Sequence, residues 1–244
     1  MKTVKKIAFI TALSVFSISC SSDDEGSFNS ITSDLNFSNG YLSTGAKTAN
    51  GTSAPEGYTW SEIDVKNYAR GIESNSYYFA DDFVVPKGEK WNIEKINIYA
   101  FYGGYSGATF PINDIRYEIY DADPSLVSSN KVYGDIDTNK YTTAEDAKIY
   151  RIHNSKPDTD GKIFRITANA ADLELTAGTY WIKWQISAGT SGVFYPYNIS
   201  PGTPGLASYN AKRQPAGGDW NTIINGDGDA KVDFPFELIG KKTK

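Results

Sequence analysis

The stretch Tyr180-Trp181-Ile182-Lys183-Trp184-Gln185-Ile186 presents two kinds of surface. On one parity Tyr180, Ile182, Trp184 and Ile186 form an apolar row, as the inner face of a strand requires. On the other, Trp181, Lys183 and Gln185 set an indole between a cation and an amide. An indole so placed can stack on a pyranose ring while its neighbours hydrogen-bond the hydroxyls. A loop or neighbouring strand could equally cover the indole, and alternation leaves both readings open. Tyr195 and Tyr197 in "GVFYPYN", like Tyr102 and Tyr105 in "YAFYGGYSG", suit a binding rim or plugs into the core.

The acidic residues come in four D-x-D pairs: Asp121/Asp123, Asp135/Asp137, Asp158/Asp160 and Asp227/Asp229. Calcium takes oxygen ligands from such loops. Asn225-Gly226-Asp227-Gly228-Asp229 begins like an EF-hand loop. It then departs, with Ala230 in place of the glycine and Phe236 in place of the bidentate glutamate. Asp227 and Asp229 remain candidates for an irregular structural calcium site, and no other cofactor is expected. In "YRIHN", Arg151 and the single histidine, His153, share a strand face. Such a pair could neutralise a uronate and abstract its proton, as in a polysaccharide lyase, given a cleft and a third partner. Otherwise both belong to a solvated face. No nucleophile elbow and no phosphate loop occurs.

The one cysteine, Cys20, stands where an apolar run meets an acidic one. Met1 to Lys6 form a cationic head, and "IAFITALSVFSI" is too short to span a bilayer but suits a signal-peptide core. Ser17-Ile18-Ser19-Cys20 resembles a bacterial lipobox, which implies cleavage before Cys20 and acylation of its thiol. Two acyl chains anchor far more firmly than one. The "SSDDEG" that follows resembles the surface-export signal of Bacteroidota-type lipoproteins. The expected location is therefore the outer membrane, lipid-anchored and facing outwards, with outer-membrane lipid as the partner of Cys20.

These candidates need a frame. Tyr (17), Phe (12) and Trp (5) favour strands, and 22 glycines supply turns. The leader holds Lys2, Lys5 and Lys6, so the mature chain is more acidic than the −5 of the whole. That balance argues against nucleic acid as a partner. With one cysteine and one histidine, the fold has neither disulfides nor a Cys/His zinc site to lean on. "IRYEIYDAD", "KIYRIHN" and "KIFRITA" alternate cleanly, and "VDFPFELIG" sets Val232, Phe234, Phe236 and Leu238 on one face. Pro235 cannot donate to a ladder, which places that strand at an edge or a bulge. In "WNIEKINIYAFY" the apolar parity slips between Ile93 and Ile96, which predicts a bulge near Glu94-Lys95. The pattern predicts an all-β fold: one antiparallel β-sandwich, jelly-roll-like. The expected divisions are 1–19 leader, 20–39 acylated Cys20 and flexible tether, and 40–240 sandwich.

The strings "STGAKTANGTSAPEGYTWSEI", "FADDFVVPKGEKWNIEKINIYAF", "AGTYWIKWQ", "SPGTPGLASYN" and "VDFPFELIG" together resemble a secreted β-sandwich domain found in bacterial exoproteins that carry sorting anchors. The resemblance spans roughly Tyr41 to Gly240. It implies an exported sandwich and carries over no activity and no catalytic residues.

The resulting expectation is a non-catalytic surface lipoprotein whose aromatics bind an extracellular polysaccharide. The alternatives are a small lyase built on Arg151 and His153 and a purely structural surface protein. Cys20→Ser is predicted to abolish metabolic lipid labelling while leaving the sandwich folded. Neutralising "SSDDE" should retain the lipid but protect the protein from protease added to intact cells. Shaving of that variant from whole cells would reduce the acidic run to a spacer.

Overall fold

Alternating apolar residues and frequent turns give strands throughout. The computed structural model describes residues 31–63, 69–71, 77–105, 107–153, 156–187, 192–196, 209–224 and 231–244, and among these there is no helix. The strands are β1 (Thr32–Ser38), β2 (Thr59–Ile63), β3 (Ala69–Gly71), β4 (Tyr77–Tyr102), β5 (Ile115–Tyr120) and β6 (Lys131–Asp135). They continue with β7 (Tyr141–His153), β8 (Lys162–Ile186), β9 (Val193–Pro196), β10 (Lys212–Pro215), β11 (Asn221–Thr222) and β12 (Phe236–Thr243).

The long pair β4 and β8 organises the rest. It is antiparallel from Phe79 opposite Trp184 to Phe101 opposite Ile163, with register shifts between Val85 and Lys90 and between Ile93 and Lys95. Bulges bend strands and increase their twist, so the two ends of the pair serve two layers. Around one end lie β1, β12, β7 and β2; around the other lie β10, β11, β5 and β6. Between the layers sits one core, where Phe83 meets Phe236 edge-on at 6.0 Å between centroids and Phe79 meets Phe234 at 5.6 Å. The fold is an all-β sandwich in which one continuous sheet turns back on itself.

The bulge expected from the parity slip is present at Glu94, opposite a matching shift in β12 between Ile239 and Gly240. Ile182, Trp184 and Ile186 face the core as expected. Other expectations are corrected. The strand-ending turn that the proline and glycine of "PKGE" predict is a bend inside β4, with Gly88 at φ 85°. The stretch assigned to the tether up to Asn39 includes β1, which pairs with β12 over its whole length. The sandwich therefore begins at Thr32 rather than 40 and runs beyond 240 to Thr243. β12 is flanked by β1 and β4, so it is not an edge, and Pro235 lies just ahead of it, where a missing N–H costs no ladder bond. β2 runs parallel to β7, a departure from the antiparallel rule.

At the paired bulge the backbones of β12 and β4 come unusually close. A Cβ on Gly240 would run into the Asn92 carbonyl. Gly240→Ala is expected to destabilise the fold by about 1–3 kcal/mol, the usual cost of overpacking. Urea unfolding will measure it, and an unchanged midpoint would mean that the bulge relaxes freely.

Candidate functional site

The residues singled out in the sequence are mostly covered. Trp181 is only 5% exposed. Lys212 from β10 lies over its ring at 5.6 Å and forms an ion pair with Asp123 from the loop after β5. Lys183 is held by Glu118 at 2.9 Å and sits 4.3 Å from the Tyr78 ring centre. Burial works against the charge of Glu118, but bonds from Lys183, Tyr120 and Lys131 keep its pKa below the ordinary glutamate value. Gln185 donates to the Tyr77 carbonyl at 3.2 Å. The expected open platform of Trp181, Lys183 and Gln185 is thus a closed face, roofed by a strand that lies 30 residues further along the chain.

Tyr195 is no rim residue either. It is buried among Phe79, Trp184 and Phe234, and its hydroxyl accepts the Ile186 N–H at 3.1 Å. Tyr102 and Tyr105 stack on each other, and both pack against the core. Arg151 is fully buried and donates to Ser61 Oγ at 2.8 Å, its opposite number in the parallel β2–β7 pair. A solvated face was expected there; instead Arg151 is enclosed and works as a tie to the neighbouring strand β2. His153, half-buried, pairs with Ile63 at the end of the same ladder. Asp121, Asp135 and Asp158 accept backbone N–H groups within their own turns. Cys20, Tyr197, Asp227 and Asp229 lie outside the described residues. Among the described residues no group of three or more His, Cys, Asp or Glu side chains is arranged to hold a metal ion.

A different surface assembles into a site. On the outer face of the β4–β8 pair, Ser38, Glu237, Asn97, Thr167 and Thr143 are direct register partners across β1, β12, β4, β8 and β7. At about 4.8 Å per strand the row is about 19 Å long. Thr167 Oγ1 donates to Asn97 Oδ1 at 2.8 Å, and Asn97 Nδ2 donates to Glu237 Oε2 at 2.8 Å. Asn97 and Thr167 are buried despite facing outwards, so these bonds satisfy groups that would otherwise be costly to enclose. Beside this row, Tyr99, Arg165 and Glu145 form a second one across β4, β8 and β7. Arg165 pairs with Glu145 at 2.8 Å. Burial raises the Tyr99 pKa, and the charge and hydrogen bond of Glu237 raise it further.

Two hollows open over these rows, and Glu237 lines both. One, of about 300 Å3, is lined by Tyr41, Leu42, Tyr99 and Ile149, with Ser38 at its edge. The other, of about 310 Å3, is polar, lined by Lys95, Asn97, Thr143, Glu145, Arg165 and Thr167. Tyr41 is 65% exposed, an aromatic ring offered to solvent at the apolar end. Together they make a groove across the strands, aromatic at one end and hydrogen-bonding at the other.

The wall carrying Tyr41 is pinned from beneath. Asn39 is buried and donates from Nδ2 to Asp81 Oδ2 at 3.2 Å and to the Phe234 carbonyl at 3.1 Å. Asp81, wholly buried on β4, also accepts the N–H groups of Phe234 at 2.7 Å and Asp82 at 2.9 Å. Burial, and then the charge of Asp233, raises the Asp81 pKa well above the ordinary value, against those donors. Burial pushes Asp233 up to about 7, with Asp82 adding to the effect and the Asn210 N–H opposing it. Asp82 is raised as well, by burial.

The groove residues escaped the sequence reading, although their outward parity was visible. Asn97 and Tyr99 alternate with Ile96, Ile98 and Ala100, and Arg165 and Thr167 alternate with Phe164, Ile166 and Ala168. What was not visible is the strand order that places them side by side.

A carboxyl whose folded-state pKa exceeds its unfolded value of about 4 takes up a proton on folding. The stability it lends is complete below that value and is lost as the pH rises to about 7. The unfolding free energy should therefore fall between about pH 4 and pH 7, by up to about 1.4 kcal/mol per pH unit for one proton released, and the melting temperature with it. Asp233→Asn should flatten that slope. A melting temperature that rises over this range in circular dichroism would mean that the three acids fold as anions. In comparisons with known proteins, no protein-family model matches the chain and no curated protein matches it in sequence.

Proposed function

We propose that this protein is a non-catalytic glycan-binding lipoprotein, held in the outer membrane by acylated Cys20 and displayed at the cell surface. The observation that carries the reading is the groove across β1, β12, β4, β8 and β7, with Tyr41 at one end and the Glu237–Asn97–Thr167 row as its floor. Sugars present apolar ring faces and dense hydroxyls. A stacking ring next to fixed donors and acceptors matches both. The floor is held by its own hydrogen bonds, so little side-chain entropy is left to lose when a ligand settles. The lipobox-like leader and the acidic run after Cys20 support display on the outside, where polysaccharide is met. Trp181 and Tyr195, first candidates for the contact, are covered and take no part in this reading.

The full chain carrying Cys20→Ser, purified without lipid, should give saturable binding on glycan arrays and in calorimetry. Tyr41→Ala is expected to weaken that binding about tenfold, or about 1.4 kcal/mol. Binding that Tyr41→Ala and Asn97→Ala both leave intact would move the site elsewhere, and an array blank for every polysaccharide would overturn the reading.

A further inference from the structure

Building on the groove as a glycan site, we infer that its ligand is an uncharged polysaccharide and that Glu237 is the residue that selects for it. Glu237 lines both hollows, so a ligand that occupies either one lies beside it. The groups that position it are neutral donors: the Asn97 amide at 2.8 Å and the Tyr99 hydroxyl. The nearest guanidinium, Arg165, feels the charge of Glu237 but is engaged by Glu145 at 2.8 Å. The negative charge at the centre of the groove is therefore not cancelled by a paired cation.

A carboxylate has lone pairs for about four donors, and two of those are used. Sugar hydroxyls can supply the others, and hydrogen bonds to an ionised acceptor are roughly twice as strong as neutral ones. A uronate carboxylate or a sulfate ester in the same place would bring like charge against like charge and offer no donor. The remaining cation of the groove, Lys95, is exposed and sits one side-chain repeat along β4 from Asn97, about 7 Å away. With Arg165, Glu145 and Glu237 it leaves the groove without net charge. The chain as a whole carries −5, which disfavours the approach of a polyanion at low salt.

The test compares mannan and xyloglucan, which are neutral, with polygalacturonate and alginate, which are acidic, using the full Cys20→Ser chain at low and high sodium chloride. The expected result is binding to a neutral polymer with an affinity that salt leaves within twofold. Glu237→Gln should lower that affinity about tenfold while the near-ultraviolet spectrum stays that of the parent. Salt-sensitive binding to an acidic polymer, lost in Lys95→Ala and Tyr41→Ala, would overturn the selection by charge and leave the groove as the glycan site. Neutral binding that Glu237→Gln leaves unchanged, but Tyr41→Ala abolishes, would overturn the role of Glu237 alone. If none of the four polymers binds, or if Tyr41→Ala and Asn97→Ala have no effect, the groove reading falls and this inference falls with it.

Discussion

One carboxyl group, that of Asp81, joins three parts of the chain that the sequence keeps far apart. It sits on β4 without access to water and accepts N–H groups from Asn39, Phe234 and Asp82. Asn39 directly follows β1, and Phe234 leads into β12. The contact therefore closes the sandwich where its first, central and last strands meet. Burying an acid without a cation is costly. The cost falls when the group is protonated or when donors surround it, and Asp81 is raised in pKa while accepting three donors. With Asp233 and Asp82 beside it, the chain carries a knot of acids beneath the wall that bears Tyr41.

The second constraint is the length of β4 and β8. Strands of 26 and 25 residues cannot stay flat, because the twist accumulates along them. Bulges at "PKGE" and at Glu94 take up that twist and let one pair serve both layers. The outer face of one half is closed by Lys212 and Asp123 above Trp181. Among the described residues the outer face of the other half carries no such ion-paired roof over its polar row, and the groove lies over it. The same pair of strands thus supplies a sealed face and an open one.

The sequence made some of this legible. The parity slip in "WNIEKINIYAFY" located the bulge to the Glu94-Lys95 pair, because a two-residue period leaves no other way to bury both Ile93 and Ile96. The inward set of "TYWIKWQI" was equally readable. What failed depended on residues distant in the chain. Whether Trp181 is open depends on Lys212, and whether Arg151 is solvated depends on Ser61; neither relation leaves a local trace. β1 was taken for tether because Leu35 and Phe37 are its only apolar anchors among Ser, Asp, Asn and Thr. The groove required the order of five strands, which alternation within each strand cannot supply.

The placement of β1 has a mechanical side. It is the first strand after the segment that leads back to Cys20, and seven of its residues are in register with β12. A pull directed along β1 would load those seven pairs together in shear instead of opening them one by one. Glu237, at the middle of the groove, lies on β12, the strand that receives this load, opposite Ser38. Force applied through Glu237 alone would cross that single strand interface, whereas force applied through Asn97 or Thr167 would also load β4 and β8. Rupture under force is governed by the unfolding rate rather than by equilibrium stability, and the seven-residue β1–β12 ladder is the first interface such a pull along β1 would meet.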